Sequence, residues 1–164
     1  MDTIIQEINN ALNRELYYLG VVMALMLPDI CAALESSNGE TNSALYKDWY
    51  NKNLAAKYPN LTANDCYSLR CGVVHQGRLG HSNMQYERVL FTVPNAQNNV
   101  FHNNILNKAL NLDATIFCRD MTASVSQWFS AAQTTPNVQA NLLHLVQFRP
   151  RGLSPYMVGI PIIA

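Results

Sequence analysis

Thr62-Ala63-Asn64-Asp65-Cys66-Tyr67-Ser68-Leu69-Arg70-Cys71-Gly72-Val73-Val74-His75-Gln76-Gly77 is the stretch from which the fold is read. Its two ends are marked chemically. Thr62 with Asp65 has the S/T-x-x-acid form in which each side chain satisfies a backbone amide of the other at a helix start, Asp standing in for the better Glu. Gly77 supplies a residue free to take the left-handed conformation that ends a helix. The spacing predicts a short helix running from the Thr62 cap to Gln76.

At about 100° per residue, Leu69, Val73, Val74, Cys66 and Tyr67 fall within one arc of roughly 160°. Arg70 lies in the middle of that arc. An arginine on an apolar face needs a partner: a carboxylate, a set of carbonyl groups, a phosphate ligand or a subunit boundary. Asp29 and Asp120 are candidate carboxylates. His75 sits in the last turn, about 140° and 7.5 Å of rise from Arg70, so the two are not stacked neighbours, although long side chains can converge at the helix end. Asp65 either caps the helix or orients Arg70, and Gln76 and Arg78 follow as polar groups within reach of a ligand.

Outward from this helix the first half reads as helical. Residues 2 to 27 carry Ile4, Ile5, Ile8, Leu12, Leu16 and Leu19 at helical spacing and become apolar on every side from Leu19 to Leu27. A second helix is expected from Pro28 to Glu35, since proline suits a first helical turn. A third is expected from Ser43 to Tyr58, stopping before Pro59. Beyond Gly80, residues 87 to 93 and 100 to 106 have strand character around a turn rich in asparagine, which predicts a small β-hairpin over about 87–106. Helical periodicity returns from Asp113 to about Gln133 and again after Thr135-Pro136 through Val146. Arg149 to Ala164, with three prolines and two glycines, is expected to form an ordered but irregular apolar strap.

The whole chain of 164 residues suits one domain, residues 1–164. With 11 basic against 11 acidic residues it lacks the broad positive footprint of a protein that grips nucleic acid over a large surface. Charged residues make up 13%, about half the usual fraction of roughly 25%, and asparagine occurs 19 times. Such a poorly charged surface favours self-association. The uncharged run Leu16–Leu27 is shorter than the ~20 residues that span a membrane, and the acidic first residues do not resemble a secretory signal. A cytoplasmic location without membrane attachment is the expectation. Cys31, Cys66, Cys71 and Cys118 form no C-x-x-C pair and read as small buried hydrophobes. Cys71 and His75, four apart, are a weak two-ligand pattern with no second pair, so no metal and no cofactor is expected. His81, His102 and His144 read as structural or surface residues.

The stretch Asp65 to Gly77 resembles the motif helix of HEPN-domain proteins, in which an arginine is followed after four to six residues by a histidine. The resemblance covers roughly residues 10 to 80, including a Leu-Tyr-Tyr-Leu-rich helix near the N-terminus. It implies a mainly α fold, an antiparallel helical bundle that dimerises and brings two Arg-His pairs together, with the hairpin and strap as elaborations. It implies a metal-independent endoribonuclease of toxin or defence type, acting on single-stranded RNA, with Arg70 stabilising phosphate and His75 as general acid or base. An antitoxin protein is then an expected partner. Members without activity bind a nucleotide or a protein instead. Two departures bear on this: Cys71 occupies the position after the arginine, where active members commonly carry a polar Asn or Asp, and Gly77 stands where the nucleotide-transferring branch has a tyrosine.

Overall fold

The computed structural model describes residues 1–79 and 84–164, and among them the fold is mainly helical, with six α-helices and seven short strands. The centre is α2 (Tyr17–Glu35), against which α1 (Asp2–Asn13), α3 (Ser43–Asn53), α4 (Ala63–Gln76), α5 (Ala114–Ala132) and α6 (Pro136–Leu142) all pack. Leu25, Leu27 and Cys31 of α2 are fully buried. A helix apolar on every side has to be covered, and five neighbours cover this one past its first turn, where Tyr18 and Leu19 stay exposed.

Several helix boundaries differ from the sequence reading. The helix expected over residues 2–27 breaks at Arg14-Glu15-Leu16: Glu15 takes φ 58°, its amide bonds the Leu12 carbonyl, and the Leu16 amide bonds that of Ala11. This is a complete Schellman turn with glutamate in the place usually held by glycine. At Pro28 the helix does not restart but continues. Pro28 leaves the Ala24 carbonyl without an amide donor, and Tyr46 of α3 donates its hydroxyl to the neighbouring Leu25 carbonyl at 2.9 Å. The resulting 19-residue helix is long and apolar enough to cross a membrane, and 56% of its apolar window is buried inside the fold.

The third helix, expected to reach Tyr58, ends at Asn53 ahead of a 3-10 turn at Ala55–Lys57, and the last helix, expected through Val146, ends at Leu142. Tyr46, Trp49, Tyr50 and Tyr58 are all buried. The tyrosine hydroxyls are each satisfied: Tyr50 donates to the Leu61 carbonyl at 2.7 Å and Tyr58 to Asp120 Oδ2 at 3.0 Å. Burial pushes the phenols of Tyr46, Tyr50 and Tyr58 above their ordinary value, so all three remain donors.

The hairpin expected over about 87–106 does not form. β1 (Arg88–Thr92) and β2 (Asn104–Leu106) lie on opposite sides of a third strand, β3 (Ala109–Asp113), in the order β1-β3-β2. β1 pairs with β3 in parallel, and β2 pairs with β3 antiparallel through Asn107 and Lys108, both at positive φ as a two-residue primed turn requires. β3 is buried at all five positions, so it shows no alternation by which to be recognised. It leads directly into α5, whose start is capped by Asp113 accepting from the Ile116 amide at 2.9 Å.

The last segment is more regular than the strap expected. Short strands β4 (Phe148–Arg149) and β7 (Ile162–Ile163) pair outside β5 (Gly152–Leu153) and β6 (Met157–Val158), making a nested hairpin arm. Gly152, at φ 79°, passes so close to the Met157 carbonyl that a side chain there would overlap it. Phe148, Tyr156, Val158, Ile160 and Ile163 of the arm are all exposed.

Candidate functional site

α4 is fixed at both ends. Thr62 Oγ1 accepts from the Asp65 amide at 3.1 Å within a complete capping box, and Gly77 takes φ 62° while the Arg78 amide bonds the Gly72 carbonyl. Cys66, Leu69 and Val73 are buried against the bundle, which sets the rotation of the helix and carries Arg70 to the boundary between core and surface.

The partner of Arg70 is Asp29. Nε donates to Asp29 Oδ2 at 2.5 Å, with the side chains 19% and 10% exposed. Asp120 is committed elsewhere, to Lys57 and Tyr58. Asp29 stands on the turn of α2 that follows Pro28, so the continuation of α2 through the proline places the carboxylate. Burial pushes the Asp29 carboxyl above its usual value and the Arg70 charge pulls it back in part. Desolvation opposes charge on Arg70, but Asp29 and Cys71 outweigh it, so the guanidinium stays protonated.

From Asp29 the guanidinium reaches toward the end of α4. Nη1 lies 3.4 Å from His75 Nε2 and 3.9 Å from Cys71 Sγ. The separation of Arg70 and His75 along the helix is thus closed by the length of the arginine. His75 is exposed, so the chain Asp29, Arg70, His75 runs from buried carboxylate to open surface. An arginine anchored through Nε presents its remaining donors as a preset fork for a phosphate or carboxylate.

Tyr67 completes the local surface. Its ring has the Arg70 guanidinium 5.9 Å and the Lys47 ammonium 5.2 Å from its centroid, and meets Tyr46 edge to face at 5.2 Å. Lys47 forms no ion pair among the described residues. It lies on α3, 23 positions from Arg70, and no sequence spacing marked it; its only signal was being a lysine beside the aromatic run of that helix.

Asp65 does not orient Arg70. It is 2% exposed; Oδ2 accepts from Thr62 Oγ1 at 2.6 Å and Gln85 Nε2 at 2.9 Å, and Oδ1 from the Gln85 amide at 3.3 Å, so both oxygens serve the cap and the segment that follows α4. Gln76 and Arg78 are exposed just beyond His75 in the sequence. His81 lies outside the described residues. His102 is structural: Nδ1 accepts from the Asp113 amide at 3.1 Å, and burial lowers its pKa below the ordinary imidazole value. Cys31, Cys66 and Cys118 are buried, and Cys71 is half-buried beside the guanidinium. Among the described residues no three His, Cys, Asp or Glu side chains converge as metal ligands, which leaves Cys71 and His75 without a third.

No family model, no curated protein and no solved structure matches the chain.

Proposed function

We propose that this chain is a HEPN-type helical bundle, and that the surface at the end of α4 is a metal-independent endoribonuclease site for single-stranded RNA. The observation that carries the reading is the chain Asp29, Arg70, His75, in which a buried carboxylate holds an arginine 3.4 Å from an exposed imidazole.

Cleavage of RNA without a metal requires removal of the 2′-hydroxyl proton, stabilisation of a dianionic phosphorane, and a proton for the departing 5′-oxygen. His75 suits the first or the last, because imidazole exchanges protons near neutrality. Arg70 has no acceptor, so its 3.4 Å contact engages the Nε2 lone pair in the resting site, and a phosphate that draws the guanidinium away frees that lone pair for the 2′-hydroxyl proton. Arg70 stabilises the phosphorane through the donors that Asp29 does not use. The 2′-oxygen forms its bond to phosphorus as the bond to the 5′-oxygen breaks, leaving a cyclic phosphate and a 5′-hydroxyl. A homodimer with two such sites supplies a second histidine for the opposite proton transfer. Lys47, beside Tyr67, adds a cation for a flanking phosphate, and Gln76 and Arg78 border the same opening. With zero net charge, affinity for RNA rests on these few groups, and control by an antitoxin-like partner fits a small exposed site. The cover that five helices give α2 past its first turn supports a cytoplasmic protein.

One feature favours a second reading, a non-catalytic module that binds a nucleotide or a protein. Arg70 is mostly buried and its Nε is committed to Asp29. A single experiment separates the two. Purified protein is incubated with fluorescent single-stranded RNA in EDTA, beside His75→Ala and Arg70→Lys. Cleavage reduced at least 100-fold in both variants, with unchanged circular dichroism, is expected. Equal RNA decay in wild type and His75→Ala overturns the catalytic reading. Intact RNA with saturable nucleotide binding that Arg70→Lys weakens establishes the second.

A further inference from the structure

The nested hairpin arm displays apolar side chains that its own chain does not cover. Tyr156 is 83% exposed, Ile163 76%, Val158 71% and Phe148 58%, and the exposed Leu143 and Val146 continue the surface to the root of the arm. The four short strands pair with one another, and among the described residues none packs extensively on a helix. A two-stranded hairpin is marginal in water by itself, and a cluster of exposed aliphatic and aromatic residues on one marks a contact surface.

Its charge is of one sign. No Asp or Glu follows Asp120, and Arg149 and Arg151 are the cations of the arm. Neither forms an ion pair among the described residues, and Arg149 Nε meets only the Ala164 carbonyl, at 3.4 Å. The root is set where α6 meets the end of α2, through Asn141 Nδ2 donating to the Ala33, Leu34 and Ser36 carbonyls. The acids of that region, Glu35 and Glu40, are engaged by Trp128 Nε1 at 2.6 Å and Asn38 Nδ2 at 3.4 Å. An apolar projection with arginine as its only charge is complementary to an apolar layer bordered by anions.

Two further features favour a lipid layer over a protein. Met157 and Val158 are consecutive in β6, so they point to opposite faces of the hairpin, and both are exposed. A protein laid against one face would leave the other bare, whereas a fluid medium surrounds both. Pro150, Pro155 and Pro161 carry no backbone N–H. They take donors away from the hairpin edges, which opposes pairing with a partner strand and lowers the penalty of leaving those edges in a medium poor in water.

We propose that the arm over residues 147–164 attaches the protein to the surface of an anionic lipid bilayer. Tyr156, Met157, Val158 and Ile160 enter the boundary between headgroups and acyl chains, and Arg149 and Arg151 bond the phosphate and carboxylate groups of the lipids. The attachment is peripheral and made by side chains, since the unpaired edges of a single hairpin keep its backbone out of the hydrocarbon centre. The expectation of a chain without membrane attachment rests on the lack of a spanning run and of a secretory signal, and the arm is neither. It holds whether or not α4 cleaves RNA.

The test is flotation of the purified chain on a density gradient at low ionic strength, with circular dichroism on every sample. Vesicles are phosphatidylcholine alone, or phosphatidylcholine with about 30% phosphatidylserine to set a negative surface. Wild type is expected to float with the mixed vesicles and to bind phosphatidylcholine alone about tenfold more weakly or less. Arg149→Glu with Arg151→Glu is expected to weaken binding to the mixed vesicles by about tenfold or more, and Tyr156→Ser with Val158→Ser to weaken it on both kinds. All four positions lie outside the core, and the serine pair carries the test where charge reversal perturbs the fold. Wild type left unbound by the mixed vesicles, equal binding to both kinds, or folded variants that bind as wild type overturns the proposal. Wild type that ignores vesicles but elutes as a dimer, which the serine pair converts to monomer, overturns it in favour of a second copy of the chain.

Discussion

The α3 segment and the C-terminal arm are both rich in aromatic and aliphatic residues, yet they meet opposite fates. Around α3, Trp49 packs edge to face on Trp128 at 6.1 Å and every buried tyrosine hydroxyl finds an acceptor. In the arm, Tyr156 projects into solvent. Apolar content is therefore a statement about what a segment needs and not about where it finds it. α3 obtains its cover from α2 and α4, whereas the arm leaves its large apolar side chains open to solvent.

The largest expected effect tests that contrast directly. Trp49→Ala removes a side chain that is 1% exposed and should cost about 3–5 kcal/mol in urea unfolding, whereas Tyr156→Ala should leave the stability of the monomer within about 0.5 kcal/mol. Comparable losses for the two would erase the distinction.

A smaller loss is expected from Asp29→Ala. It strands the Arg70 charge, and since Arg70 keeps 19% exposure the cost should be about 2–3 kcal/mol, under the 3–5 of a sealed pair. Arg70→Met with Asp29→Leu should recover most of that stability in the same unfolding measurement, because the pair as a whole spans a boundary where apolar side chains also fit.

The smallest effect concerns acid. His102 accepts from the Asp113 amide only when neutral, and burial lowers its folded pKa below 6.5. The unfolded chain therefore takes up the proton first on acidification, so the contribution of His102 is complete above about pH 6.5 and is lost as pH falls through the folded value. Melting temperature should drop slightly more between pH 7.5 and 5 in wild type than in His102→Asn, whose amide oxygen accepts the same bond at either pH.

How much of this was legible depended on whether a residue announced itself through local chemistry. The α4 boundaries were readable because Thr62, Asp65 and Gly77 act on the backbone beside them. The break at Glu15 was not, because a glutamate at positive φ costs energy that the packing of α1 on α2 repays. Pro28 misled for a related reason: its lost hydrogen bond is tolerated inside a helix that other helices enclose. β3 escaped because burial on both faces removes alternation, and the parallel partner it needs lies in a distant stretch of sequence. Arginine on an apolar arc was a sound signal at Arg70, and Asp29 was one of two carboxylates it could have found. The choice between Asp29 and Asp120 required knowing that α2 runs unbroken past Pro28. Lys47 became visible only when Tyr67 was seen to lie between two helices.

The closed form of the arm depends on the absence of one carbon atom. Gly152 faces the Met157 carbonyl at a distance that excludes a methyl group, while none of the exposed apolar side chains takes part in that approach. The outline of the arm and the apolar character of its exposed face are therefore inherited through different codons. A lineage can change the exposed side chains at Phe148, Tyr156, Val158 and Ile163 and keep the arm's shape as long as Gly152 and Gly159, both at positive φ, are left alone.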